Sequence, residues 1–191
     1  MFPFFLISTN AGKRLCDNNK GTLFRCVPSL GRTFLFYGGY GVEIYRVAFI
    51  GHREISERNY IENEIERIAR CMLHDKSFVE FYMGRNGDFD ISAASAIKRA
   101  KKAVGDHNSY LILIQPYRMK DDHYYEKYYD EVQYPVDFTT HPKAAITKRN
   151  RWMIENADLL IAFVEEGRKG GADTALKYAK KLEKEIINLA K

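Results

Sequence analysis

From position 42 onward, short continuous apolar runs alternate with longer segments whose apolar residues lie three and four apart. Residues 45–50 form an apolar run closed by Gly51, the pattern of a buried parallel strand. Residues 56–73 carry Ile61, Ile65, Ile68, Ala69 and Met72 on one helical face, with Ser56 placed to cap the helix. Residues 78–83 read as a second strand, 84–88 as a loop and 90–104 as a helix, and residues 110–115 as a third strand that Pro116 ends. A helix over 144–156, a strand over 159–164, a helix over 172–182 and a last strand over 185–189 complete the pattern. Strands separated by helices at these spacings build right-handed βαβ units. The expected fold is a three-layer α/β sandwich with a mostly parallel sheet, a single domain over residues 42–191.

Two stretches fall outside this rhythm. Residues 1–41 are broken by Pro3, Gly12, Gly21, Pro28, Gly31, Gly38, Gly39 and Gly41, and hold no lasting period. They read as an irregular leader outside the fold, with a short strand at 33–37. Residues 119–138 are rich in tyrosine and acid, including Tyr124, Tyr125, Tyr128, Tyr129, Asp121, Asp122, Glu126, Asp130 and Glu131. This stretch is a lid, a subunit contact in a homo-oligomer or a packed insertion, and the pattern does not choose among them. The basic run 98–102 lies on a helix and reads as a solvated face.

Composition narrows the functional classes. Apolar residues make up 46% of the 191, charged residues 29% and aromatics 14%, which excludes wholesale disorder. No apolar stretch approaches the roughly 20 residues of a membrane span. The opening run Phe2, Phe4, Phe5, Leu6 and Ile7 lacks a preceding charge and is too short for an export signal. The net charge is +5, but residues 1–41 hold five bases against one acid, so the main body is almost neutral. Bulk charge therefore argues against nucleic acid as a partner. Cys16, Cys26 and Cys71 form no CxxC and no cluster with His at metal-ligand spacing, so neither a metal nor another cofactor is expected. Three scattered cysteines fit a reduced, cytoplasmic protein.

In an open parallel sheet, ligands bind beyond the carboxyl ends of the strands. Three glycine-bearing turns fall there. One holds Gly51, His52 and Arg53; one runs from Gly84 to Asp90; one runs from Glu165 to Thr174 through Gly170 and Gly171. The two glycines let backbone approach an anion, and the helix beginning near Ala172 aims free N–H groups at it, with Thr174 as a further donor. The competing reading is a plain loop that needs glycines to turn. Neither a P-loop nor the dinucleotide fingerprint is present. His52 reads as a hydrogen-bonding structural residue or a catalyst, and Arg53 as an anion clamp or a partner of Asp90. Asp90 serves as a helix cap or holds a ribose. Arg149 and Arg151 cannot share a helix face, so one points to the cleft and the other to solvent, while Trp152 and Met153 read as core.

Three blocks carry a resemblance. Residues 47–53 (Val-Ala-Phe-Ile-Gly-His-Arg), the segment 84–97 with Phe89, Asp90, Ala93 and Ala94, and the pair of motifs at 149–154 and 156–162 followed by Gly170 and Gly171 resemble the bacterial YpsA-like proteins. These belong to the SLOG superfamily of Rossmann-like domains, with the Lonely Guy phosphoribohydrolases and the DNA-processing protein DprA. The resemblance spans residues 44–190. It implies a Rossmann-like domain and a nucleotide-related ligand. Arg149 matches the catalytic arginine of the Lonely Guy enzymes. Their motif glutamate, however, falls on Lys177 and a motif glycine on Asp173; Arg85 and Asp88 likewise replace glycines of the YpsA-like pattern. Glu165 and Glu166 remain as acidic candidates.

The leading functional expectation is a binding domain for a nucleotide or nucleotide-derived ligand, held by Gly51, His52, Arg53, Gly84, Asp90, Arg149, Gly170, Gly171 and Thr174. The alternative is hydrolysis of the N-glycosidic bond of a nucleoside monophosphate, using Arg149 with Glu165, Glu166 or Asp90. A third reading has the tyrosines of 124–134 stack on single-stranded DNA, against the acidity of that stretch.

Overall fold

The computed structural model describes residues 17–18, 22–23, 25–29, 32–37, 40–85, 87–118 and 122–190. The chain divides into two compact units, Met1–Ile44 and Tyr45–Lys191.

In the first unit, β1 (Asp17–Asn18) pairs antiparallel with β2 (Thr22–Leu23). Strand β3 (Arg25–Ser29) pairs antiparallel with β4 (Arg32–Tyr37), and β4 with the first residues of β5 (Tyr40–Gly51). The expected strand at 33–37 is thus present. Among the described residues of this segment, cross-strand pairing supplies an order that no periodicity in the sequence announces.

The second unit is a six-stranded parallel sheet between two layers of helices, a Rossmann-like three-layer α/β sandwich. In chain order it holds the later part of β5, α1 (Arg58–Asp75), β6 (Phe78–Met83), α2 (Asp88–Val104) and β7 (Ser109–Ile114). Next come α3 (Asp122–Tyr128), β8 (Glu131–Gln133), α4 (Pro142–Asn156), β9 (Leu159–Phe163), α5 (Gly171–Lys181) and β10 (Glu185–Asn188). The strand order is β10-β9-β5-β6-β7-β8. Alternation along each strand sorts the core into two. Val47, Phe49, Phe81, Leu111 and Ile161 pack under α1 and α2, while Ala48, Ile50, Ile112, Leu160 and Ala162 pack under α4 and α5.

Several ends differ from the sequence reading. Helix α1 starts at Arg58 after Glu57, without a side-chain cap, so Ser56 does not cap it. Helix α2 starts at Asp88 after Gly87, which puts Asp90 in the first turn rather than at the cap. The tyrosine-rich stretch resolves into α3 and the edge strand β8. Tyr129 is buried there, which pushes its hydroxyl up to about 12. The basic run is not a uniformly solvated face. Lys101 is buried, donating to Ser109 O at 3.2 Å and pairing with Asp106 at 2.7 Å and with Asp130, while Lys98 sits over the Tyr128 ring. The aliphatic stems and aromatic neighbours cover apolar surface that charge alone would not predict.

Candidate functional site

The chain leaves β5 outward through β6, β7 and β8, then crosses back over the sheet to β9 on the other side of β5. The switch point of this topology lies between β5 and β9. Connections depart in opposite directions there, so a crevice opens beyond the strand ends. A cavity of about 420 Å³ occupies that place. Its walls come from the end of β5 and the turn after it (Phe49 to Glu54), Asp90 of α2, Ile146, Arg149 and Asn150 of α4, and Arg168 to Ala172 before and at the start of α5.

Two glycines make room for this convergence. A Cβ on Gly51 would run into the Phe89 ring, which stacks on Phe163 with centroids 6.2 Å apart. A Cβ on Gly84 would overlap the Arg149 guanidinium and lie 2.8 Å from Asp90 Oδ2, so both side chains close over the bare backbone at the end of β6. Gly87 lies equally tight against the backbone of Arg53, whose carbonyl accepts from Asp88 N at 2.6 Å.

Arg149 is the most deeply buried charged side chain lining the cavity. It is 3% exposed; its Nη1 donates to Ile114 O at 3.3 Å, and its Nε has no partner among the described residues. Burial pulls the guanidinium below its ordinary pKa, and the charge of Asp90 opposes that. A buried donor without an acceptor is costly, about 1–3 kcal/mol, and marks a place where a further group fits. Arg151, two residues on, lies exposed over the Tyr178 ring; of the two arginines the cleft receives Arg149. Trp152 packs against Tyr82 and Met153 is fully buried, both core.

Helix α5 points its first turn at the cavity. Gly170 and Gly171 have open space where a Cβ would stand. Thr174 does not line the cavity: its hydroxyl donates back to Gly170 O at 3.0 Å. His52 is buried, donates its backbone N–H to Phe163 O at 3.1 Å and accepts at Nε2 from Glu165 N at 3.1 Å. The Glu165 carboxylate pairs with Arg168 at 2.8 Å, and neither Glu165 nor Glu166 lines the cavity. Lys177 is exposed and pairs with Asp173. The structure thus gathers Gly51, His52, Arg53, Asp90, Arg149, Gly170 and Gly171 around one space, with Gly84 beneath.

Reading the sequence turn by turn missed Ile146, Asn150, Arg168 and Lys169 among the lining residues. Ile146, Arg149 and Asn150 are spaced three and four apart, one helical face, and that spacing was the available signal. Among the described residues no group of three or more His, Cys, Asp or Glu is placed to hold a metal, and no helix is long and apolar enough to cross a membrane.

No known protein family's profile matches this chain, and no curated protein matches it. Among solved structures it is similar to DNA processing protein A (DprA) from Streptococcus pneumoniae, with 15% identity and a TM-score of 0.53 over 75% of this chain. It spans about half of that protein, 49%. DprA from Helicobacter pylori, a single-stranded DNA binder, is similar at 18% identity and a TM-score of 0.53, over 90% of this chain and 73% of that one. At such identities the likeness is one of fold alone.

Proposed function

We propose that the protein binds a nucleotide or nucleotide-derived ligand in the cavity between β5 and β9. The observation that carries this reading is Arg149: a buried guanidinium with an unanswered Nε, in the same cavity as the open glycine turn that starts α5. An anionic group at that turn meets backbone N–H donors and the positive end of the helix, with Arg53, Lys169 and Arg168 around it. Asp90 supplies an acceptor for sugar hydroxyls, and Ile146 with Phe49 and Ile50 supplies apolar wall. A place among the YpsA-like proteins and in the cytoplasm is part of the same proposal.

A second reading, cleavage of an N-glycosidic bond in a nucleoside monophosphate, is favoured by one observation. Asp90, rather than Glu165 or Glu166, shares the cavity with Arg149, which restores an acid–cation pair at a position the motif comparison did not indicate. There Arg149 orients the phosphate or ribose and the carboxylate stabilises a developing oxocarbenium ion. The likeness to DprA keeps single-stranded DNA among the ligands to be tried.

A thermal-shift screen of the full chain tests all three, using nucleoside mono-, di- and triphosphates, ADP-ribose, NAD, cyclic dinucleotides and single-stranded oligonucleotides, with assay for released base. A nucleotide at 100 times its Kd adds about 2.7 kcal/mol. Arg149→Met combined with Asp90→Asn, which removes the buried charge and the carboxylate facing it together, is expected to retain the fold and lose the shift. A shift with free base released supports hydrolysis. Oligonucleotide binding that falls steeply with salt supports the DNA reading, and no shift with any nucleotide removes the first.

A further inference from the structure

His52 stands outside the chemistry assigned above, yet its two hydrogen bonds bracket the point where the anion loop leaves the sheet. Its backbone N–H donates to Phe163 O, and its Nε2 accepts from Glu165 N, two residues further along. Between them Val164 is held from the other side by the Asn188 amide, at 3.0 and 2.9 Å. Beyond Glu165 the ties are internal to the turn or made by a side chain. Arg168 N donates to Glu165 O at 3.3 Å, and the Arg168 guanidinium reaches Glu165 and Glu54. Gly167 sits at φ 78, in the left-handed region that favours glycine. The bond from Glu165 N to His52 is thus the last tie that a backbone group makes from this segment to the turn after β5. Beyond it only the Arg168 side chain reaches back, to Glu54 O, before the loop that forms one wall of the cavity.

An imidazole nitrogen accepts a hydrogen bond only when it bears no proton. Protonating Nε2 sets a donor against the Glu165 N–H donor, and the anchor is lost. We propose that His52 is the positioning residue of the anion-binding turn, its neutral imidazole holding the turn ready for a ligand and its protonation releasing it. The proposal rests on the nucleotide reading for the identity of the ligand and on the geometry alone for the anchor.

The charges facing the ring come from every side. Arg53 and Glu54 lie on its own turn, Glu165 and Arg168 on the facing one, Asp173 on α5, and Asp90 and Arg149 on the other walls of the cavity. Burial, and then Arg168, hold the imidazole below its ordinary value of 6.5, with Glu165 and Asp173 pulling the other way. The neutral, anchored form therefore persists at neutral pH and is lost as the pH falls through that lowered value.

His52→Gln in the full chain is the informative variant, because an amide oxygen accepts the same bond and does not titrate. Two measurements are read against pH from about 5 to about 8, the range in which an imidazole titrates. Amide-exchange protection at Glu165 and through the turn to Gly171 is followed by NMR without ligand. Affinity for adenosine 5′-monophosphate is followed by calorimetry. Wild-type protection is expected to fall in acid while the variant's stays level, and wild-type affinity to weaken roughly three- to tenfold more than the variant's. Comparing the two proteins cancels the titration of the phosphate itself, whose second pKa is about 6. Equal pH dependence of Glu165 protection in the two proteins overturns the anchor. Equal loss of affinity in the two overturns its role in binding. Absence of adenosine monophosphate binding to either overturns the role of His52 in holding that nucleotide, and the exchange data still decide the anchor.

Discussion

Glycine at position 51 shows how one residue opens this site. Residue 51 ends a strand whose neighbours Phe49 and Ile50 are buried, and the pattern of the strand tolerates a small side chain there. The space above it belongs to Phe89, fully buried in the first turn of α2, so any Cβ at 51 displaces an aromatic ring that has nowhere to go. Gly51→Ala is expected to destabilise by about 1–3 kcal/mol, the usual cost of overpacking, read as a lower denaturation midpoint in urea with unchanged slope. Gly170 is the contrary case. Its backbone is extended and its Cβ position open, so what matters there is exposure of the helix N-terminus rather than conformational freedom.

At the scale of elements, the short edge strand β8 pairs with β7 and is also tied at its start by a polar knot at Asp130. Asp130 accepts from Leu111 N at 2.7 Å, its own N–H donates to Leu111 O at 2.9 Å, and its carboxylate receives the buried Lys101 of α2. Three elements meet in one carboxylate. Asp130→Ala leaves the Leu111 N–H without this acceptor and weakens the pairing of a buried ammonium, each worth about 1–3 kcal/mol. A double-mutant cycle with Lys101→Met checks this: removing the lysine as well is expected to recover part of the loss in thermal stability. Equal and additive losses would mean that the pair is not coupled. The pairs between α1 and α2 are of a different kind. Arg99 reaches Glu62 at 3.0 Å and Glu66 at 2.7 Å on an exposed face, where ion pairs contribute little.

At the scale of the molecule, two buried clusters on opposite faces of one sheet account for the stability of the unit Tyr45–Lys191. Each face is closed by its own pair of helices, and both clusters are composed of residues within that unit. We propose that it folds without the leader. Deleting residues 1–41 is expected to change Tm by only a few degrees in a thermal melt, and a fall of many degrees would assign that segment to the core.

Apart from α3 and β8, which lie in the tyrosine-rich stretch, the strands and helices of residues 45–190 were legible in the sequence because each reports its own burial. Strands covered on both faces read as continuous apolar runs, and helices covered on one face read as a 3.6-residue period. Arg149 was legible from the block of residues 149–154, and the glycine turns because a parallel sheet places every β-to-α turn at one edge. Helix starts were less legible. Ser56 has the chemistry of a cap but the chain turns two residues later, and Asp90 became a cavity residue because α2 begins at Asp88. Other features exist only between elements that are distant in the chain. The switch point between β5 and β9 is set by strand order. The burial of Lys101 depends on Asp130, 29 residues away, and the role of His52 on the N–H of Glu165, 113 residues away. Local pattern determines which residues are buried and in what conformation; only the tertiary structure decides which buried polar group meets which partner, because that choice depends on distances the chain closes in space rather than along itself.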